Sequence, residues 1–205
     1  MNIGIIGAGN MGQALATASV RAGQAITITS TTAGEAEAVA AKVGATAVAS
    51  NRAAVADADT VILAVPFDAV RGIVDELGTE LDGKVLIDVT NRFTPEQLGG
   101  PSNAELIQQM APNARVVKAF NTIFASHQAD PAIDGVQLDG FVAGDDGAAK
   151  QQALALVASL GFRPIDAGPL AMARALEGMG TLNISLNAAN GWPWQSGWKL
   201  LGPSG

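Results

Sequence analysis

The sequence predicts an α/β fold: a doubly wound, mostly parallel sheet with a short helical extension at its C-terminal end. Three observations predict it. Short apolar runs alternate with stretches of helical spacing, glycines stand where helices must end, and the first apolar run enters a glycine-rich turn that opens a helix. Asn2–Ile6 is the first strand. Met11–Ala22 reads as the helix after the turn, where Leu15 and the alanines permit close packing on the sheet and Gly23 marks the end. Ala25–Thr29 is a second strand, and Ala33–Val43 an Ala/Glu-rich helix closed by Gly44. Thr46–Ala49 is a short third strand. Thr60–Val65 is the fourth, a continuous apolar run of the kind covered on both faces, and Pro66 stops it. Phe67–Leu77 follows as a helix, Lys84–Val89 as a fifth strand, Asn103–Met110 as a helix and Arg115–Phe120 as a sixth strand.

A further strand–helix–strand unit runs through Gly140–Ala143, Ala148–Leu160 and Arg163–Asp166. Its helix sets Ala153, Leu156, Val157 and Leu160 on one face. From Ala171 to about Ala189, Met172, Ala175, Leu176, Met179, Leu182 and Leu186 again recur at helical spacing. The softer segments are Asn91–Ser102, rich in Gly and Pro, and the tail from Gly191. No internal repeat indicates a solenoid.

Composition narrows the function. The 205 residues are 48% hydrophobic and 15% charged, enough apolar material for one substantial core. A net charge of −7 argues against nucleic acid or an anionic membrane as partner, because phosphates reward a basic surface. No apolar run reaches the roughly 18 residues of a membrane span, and the first residues lack a basic leader region, so a soluble cytoplasmic protein is expected. Without cysteine there is no thiolate nucleophile, disulfide or Cys-held metal, and a single histidine, His127, excludes a multi-His site. No metal is expected. The absence of tyrosine excludes a Tyr–Lys acid pair.

The turn Gly7-Ala8-Gly9-Asn10-Met11-Gly12 carries the first chemistry. It follows a strand, opens a helix and lies in a βαβ unit, the context that makes G-x-G-x-x-G a dinucleotide signal. Gly7 permits the tight turn, Gly9 lets the backbone approach a pyrophosphate, and Gly12 lets helix and strand pack closely. Backbone N–H groups around Asn10 and Met11 can donate to phosphate oxygens, aided by the helix dipole. The second strand ends in Ser30, Thr31 and Thr32, with no acidic residue before Glu35. An acidic residue at the strand end would bind free ribose hydroxyls, whereas three hydroxyls better suit a 2′-phosphate. NADP(H) is therefore favoured over NAD(H), with Arg52 the candidate cation. The expected organisation is a dinucleotide-binding domain of Rossmann type over residues 1–170. Residues 171–205 would form a helix and Trp-rich tail that completes a dimer or the site.

The segment Ile3 to Gly12 resembles many reductases, among them pyrroline-5-carboxylate reductases and beta-hydroxyacid dehydrogenases, whose large helical C-terminal region exceeds what 205 residues hold. Later motifs discriminate. Val116 to Thr122 (VVKAFNT), Ala143-Gly144-Asp145-Asp146, and Gly161 to Leu170 (GFRPIDAGPL) with Ala173-Arg174 resemble the NADPH:coenzyme F-420 (F420) oxidoreductase family, and are similar to the reductase domain of STEAP-type metalloreductases. The resemblance implies a homodimer and hydride transfer between a nicotinamide and a second redox ring, a deazaflavin (F-420) or flavin, as small-molecule acceptor. It implies that Val65-Pro66-Phe67 borders the cofactor, that Asn91 of Asp88-Val89-Thr90-Asn91 contacts it, and that Asn121 lies beside the nicotinamide. Asn121, Thr122, Ile123 and Leu170 are the expected substrate-side residues. Arg92 stands where the family has proline, and the Ser-Arg pair usual at the 2′-phosphate is absent.

Hydride transfer between stacked rings asks the protein for placement and exclusion of water, not for an acid or base. The lack of Tyr and Cys fits that chemistry. A small imine or ketone reductase would need a proton donor, for which His127 is the only histidine; a non-catalytic redox sensor is the other alternative. Read from sequence, His127 is an exposed or capping histidine, Asp145-Asp146 a polar helix start, and Lys118 either a snorkelling lysine or a counter-charge for an anionic substrate. Trp192, Trp194 and Trp198 either anchor an interface, the favoured reading, or stack on a redox ring.

Overall fold

The computed structural model describes residues 1–91 and 99–202; Arg92 and most of the Gly/Pro-rich segment expected to be soft lie outside them. One sheet has eight strands in the order β10-β9-β6-β5-β4-β1-β2-β3. From β1 (Asn2–Ile6) the chain passes through α1 (Asn10–Arg21) to β2 (Ala25–Thr29) and through α2 (Glu35–Val43) to β3 (Thr46–Ala47). A short helix α3 (Asn51–Val55) carries it back to β4 (Thr60–Leu63) beside β1. The chain then continues outward through α4 (Phe67–Leu77), β5 (Val85–Asp88), α5 (Asn103–Met110) and β6 (Arg115–Lys118), all parallel. This order reverses between β1 and β4, the topological switch point where open α/β sheets bind ligands.

The alternation of strand residues builds two cores. On one side Ile3, Ile5, Ile28, Ile62 and Ile87 pack against α1, α2 and α6 (Gly147–Ser159); on the other Ile6, Val61, Leu63 and Leu86 pack against α4 and α5. Every residue of β4 is buried, which is why its sequence lacks a polar alternation. Helix α4 adds Val70, Val74 and Leu77, each stabilising by roughly 1.5–3 kcal/mol relative to exposure.

The far edge departs from a parallel plan. Strand β9 (Asp139–Gly144) runs antiparallel to β6, and β10 (Arg163–Gly168) pairs parallel with β9 across α6. No crossover helix joins β6 to β9; the chain returns through a 3₁₀ turn, Ala125–His127, and a hairpin, β7 (Ala132–Ile133) with β8 (Val136–Gln137). Sequence reading missed α3 and this hairpin. Expectations that β4, β5 and β6 extend to Val65, Val89 and Phe120 overrun by one or two residues, because those residues leave the ladder to build the site.

The last helix, α7 (Ala173–Asn190), faces inward with Leu176, Glu177, Gly180, Thr181, Asn183 and Asn187, a mostly polar set. Met172, Leu182 and Leu186, expected on an apolar face, are exposed. Arg174 pairs with Glu105, whose carboxylate also closes a capping box with Ser102 at the start of α5. The hydrogen bond from Arg174 holds the Glu105 carboxyl down at about 2. After Gly191 the chain doubles back. Ser126 donates to the Trp194 carbonyl, Asp139 N–H donates to the Trp198 carbonyl, and the buried Asp139 carboxylate accepts from Arg163, Lys199 and the Leu200 N–H.

Candidate functional site

The glycine turn is fixed by its surroundings. Gly7 sits at φ 106, donates to the Thr29 carbonyl, and lies so close to Ala64 that a Cβ would strike that residue's carbonyl. A Cβ on Gly12 would strike the Gly7 carbonyl. Gly9 is different: nothing lies within 4 Å of where its Cβ would be. It is the N-cap of α1, with no side-chain cap and no acidic residue in the first turn. The first N–H groups of α1 are thus left to an outside acceptor, at the positive end of the helix dipole.

Two hollows flank the turn. One, of about 420 Å³, is bounded by Ser30, Thr31 and Thr32 on one side and Val65 and Pro66 on the other. Ser30 Oγ donates to Glu35 Oε2 at 2.5 Å and accepts from the Thr32 N–H. Glu35 and Glu76 both line this hollow. Arg52, the candidate cation, is directed elsewhere, onto Glu80 and the Glu76 carbonyl.

The second hollow, about 530 Å³, fits the size of small-molecule sites. Asn10, Met11, Val65, Pro66 and Phe67 form one side of it, Asn91, Asn121, Thr122 and Ile123 the other, and α7 closes it with Gly180, Asn183 and Ile184. Its far wall is a hydrogen-bonded unit. Asn91 Nδ2 donates to the Asn121 carbonyl at 2.7 Å, and Asn121 Nδ2 donates to Asn91 Oδ1 at 2.8 Å and to the Leu176 carbonyl at 2.9 Å. Two acceptors on Nδ2 settle the orientation of the Asn121 amide. Its Oδ1 is buried with no hydrogen-bond partner. Gly180 makes room for the pair, since a Cβ there would lie 2.5 Å from Asn91 Oδ1. The turn after β6 holds Phe120 at φ 62, an uncommon conformation for a bulky residue. Gln128 fixes it by donating to the carbonyls of Phe120 and Ile123.

Beneath this wall lies Lys118, fully buried, whose ammonium contacts Asp88 Oδ2 at 2.8 Å, Glu177 Oε1 at 2.9 Å and the Thr90 carbonyl at 2.5 Å. Neither sequence reading of Lys118 holds: it does not snorkel, and its charge is committed inside the fold. Leu170, expected on the substrate side, is packed into the core with Ile107 and Ala173, and its N–H donates to Asp145. His127 is half-buried with Nδ1 3.3 Å from the Asp130 carbonyl, and it does not line the second hollow. Asp146 caps α6 through the Ala149 N–H, as a polar helix start should. Trp194 packs edge-on against Phe124 at 5.6 Å, at the rim of the site, while Trp192 faces solvent. Sequence reading noted Glu35 but gave it no part in the site, and it missed Glu76 and the α7 residues. Gly180 inside a helix was the one signal for the last group, because a helical glycine with a reason often marks a close approach.

Among the described residues, no group of His, Cys, Asp or Glu could hold a metal ion, and no helix is long and apolar enough to cross a membrane. The strand order and the uncapped glycine turn at the switch point, with a hollow on either side, define an α/β protein of Rossmann type. Residues 2–92 match the family described as NADP oxidoreductase, coenzyme F420-dependent. The F420-dependent NADP reductase of Methanothermobacter marburgensis is 35% identical over 156 residues, 69% of this chain and 68% of that protein. The metalloreductase STEAP3 of Rattus norvegicus is 33% identical over 177 residues; they cover 85% of this chain, which spans only about a third (35%) of that relative. A solved structure from Arthrobacter sp. FB24, assigned as an F420-dependent NADP-reductase, matches with a TM-score of 0.87 at 28% identity over 98% of this chain and 99% of that one. The chain belongs to the coenzyme F420-dependent NADP oxidoreductase family.

Proposed function

We propose that this chain is an oxidoreductase that holds NADP(H) across the glycine turn and exchanges hydride with a flat-ring acceptor, F420 or a flavin. The carrying observation is the second hollow, which runs from the N-terminal end of α1 to the hydrogen-bonded Asn91–Asn121 wall and is closed by α7.

The residues divide the work. Gly7, Gly9 and Gly12 shape the turn, and the N–H groups of Asn10 and Met11 take the pyrophosphate. Ser30, Thr31 and Thr32 stand at the adenosine ribose. Val65, Pro66 and Phe67 back the nicotinamide, and Asn91 fixes Asn121 against it. Thr122 and Ile123, with Ile184 above, form an apolar rim for the acceptor ring. When bound, the nicotinamide supplies the hydride; the chain orients the two rings and excludes water. Among the described residues no acidic or basic side chain lines the second hollow, which suits transfer between rings and not reduction of a carbonyl, where an alkoxide must be protonated.

The exposed Leu182 and Leu186, with Met172 just before the helix, give α7 an outward apolar stripe, and a homodimer along it belongs to the same proposal. So does a cytoplasmic setting without nucleic-acid or membrane partners. The test follows loss of reduced-nicotinamide absorbance with F420, FMN, FAD and a quinone as acceptors. Turnover with F420 or a flavin is the expected result. Tight dinucleotide binding with no turnover on any acceptor would favour a redox sensor instead.

A further inference from the structure

We propose that Glu35 is the residue that sets selectivity at the 2′ position of the adenosine ribose, and that it opens this site to NAD(H) alongside NADP(H). The inference rests on the reading above that a nicotinamide dinucleotide occupies the turn.

In a βαβ dinucleotide site the ribose hydroxyls are read at the end of β2, by a carboxylate where they are free and by a cation where a 2′-phosphate is present. Here β2 ends at Thr29, and the residues that follow directly are hydroxyls. The fold supplies the carboxylate from further on. Ser30 Oγ donates to Glu35 Oε2 at 2.5 Å, which draws the first residue of α2 back to the strand end and into the wall of the 420 Å³ hollow. A carboxylate that accepts one hydroxyl proton at a single oxygen keeps acceptor capacity for a ribose diol.

The surrounding charge has the same sign. Glu76 lines the hollow from α4, and no Lys or Arg lines it among the described residues. Arg52 is held by Glu80 and the Glu76 carbonyl, and Lys42, two turns further along α2, lines an adjoining groove with Gln13, Ala38 and Glu35 but not this hollow. A 2′-phosphate entering here brings a charge of nearly −2 toward two carboxylates, with no cation lining the hollow among the described residues. A free 2′-hydroxyl brings a donor.

The experiment titrates the full chain with NADH and NADPH, read by nicotinamide fluorescence, and repeats the titration on Glu35→Gln and Thr31→Arg. Competition by 5′-AMP and 2′,5′-ADP isolates the adenosine half. Expected is wild-type affinity for NADH equal to or tighter than that for NADPH. Glu35→Gln, which keeps the shape and the contact to Ser30, shifts the ratio about tenfold toward NADPH, equivalent to about 1.4 kcal/mol. Thr31→Arg shifts it in the same direction, and 2′,5′-ADP gains over 5′-AMP in both variants. Wild-type binding at least tenfold tighter for NADPH, with a ratio unmoved by Glu35→Gln, would overturn the assignment. Binding of neither dinucleotide would instead refute the cofactor reading on which it rests.

Discussion

Replacing Lys118 tests the foundation under the Asn91–Asn121 wall. Lys118→Met keeps the length and apolar volume of the side chain but removes the ammonium. Asp88 and Glu177 would then remain, both fully buried, without the cation that contacts each of them. Asp88 would keep the Thr90 N–H and Glu177 the Asn103 N–H, so some stabilisation of the carboxylates survives. Breaking a buried pair typically costs 3–5 kcal/mol, because the partner charge is left without compensation. For a domain of this size each kcal/mol lowers the melting temperature by about 2–4 °C, so the variant should melt roughly 6–20 °C lower. Circular dichroism melts and urea titrations measure this directly. The triple change Lys118→Met, Asp88→Asn, Glu177→Gln removes all three charges and should recover part of the loss. A single Lys118→Met variant within about 1 kcal/mol of wild type would refute the view that this cluster fastens β5, β6 and α7 together.

The glycine turn separates binding from folding. Gly9→Ala places its methyl in open space, so the fold should tolerate it while dinucleotide affinity falls about tenfold; Gly12→Ala drives a Cβ into the Gly7 backbone and should lower the melting temperature itself. Gly180→Ala pushes on Asn91 Oδ1, and calorimetry should show weaker binding of the whole dinucleotide with unchanged binding of 5′-AMP, since the adenosine side is untouched. Burial opposes ionisation of Asp139, but hydrogen bonds from Arg163, the Leu200 N–H and Lys199 outweigh it and hold the carboxyl below its ordinary 3.8. A lowered folded value means that the stabilisation is full above pH 3.8 and is lost only as pH falls through the lower folded value. Tryptophan fluorescence should therefore show the Trp198 segment docked at pH 5, released in strong acid, and loosened at neutral pH in Asp139→Asn.

What sequence made legible here is what local geometry dictates. Gly7 and Gly12 could be read because each is required by a close backbone approach within one strand–turn–helix unit, whereas Val65, Pro66, Asn91 and Asn121 were reached only through the family resemblance. Asp134-Gly135 was equally legible, a two-residue hairpin signal with both residues at positive φ, yet it was passed over. Lys118 could not be read. Its partners lie 30 and 59 residues away, and an isolated lysine in an apolar strand looks the same whether it snorkels or is paired. Glu35 was seen and set aside, because spacing along the chain placed it too late and only the bond to Ser30 brings it back.

Helix α7 misled for a deeper reason. Hydrophobic periodicity assumes that the apolar face of a helix seeks the core of its own chain. Here the inner face carries Glu177, Asn183 and Asn187, because it covers a polar unit: the Lys118 cluster, the Leu176 carbonyl used by Asn121, and Ser196 of the returning tail. The apolar residues are displaced outward as a consequence. The face that closes the second hollow and the exposed apolar face are thus two sides of one 18-residue helix. If the proposed homodimer forms, burying Leu182 and Leu186 would restrain the helix that bears Gly180, Asn183 and Ile184 against the second hollow. Leu182→Lys with Leu186→Lys should therefore both shift the sedimentation coefficient to that of a monomer and weaken dinucleotide binding, although neither residue lines the hollow. A monomeric variant that binds as tightly as wild type would uncouple the two faces.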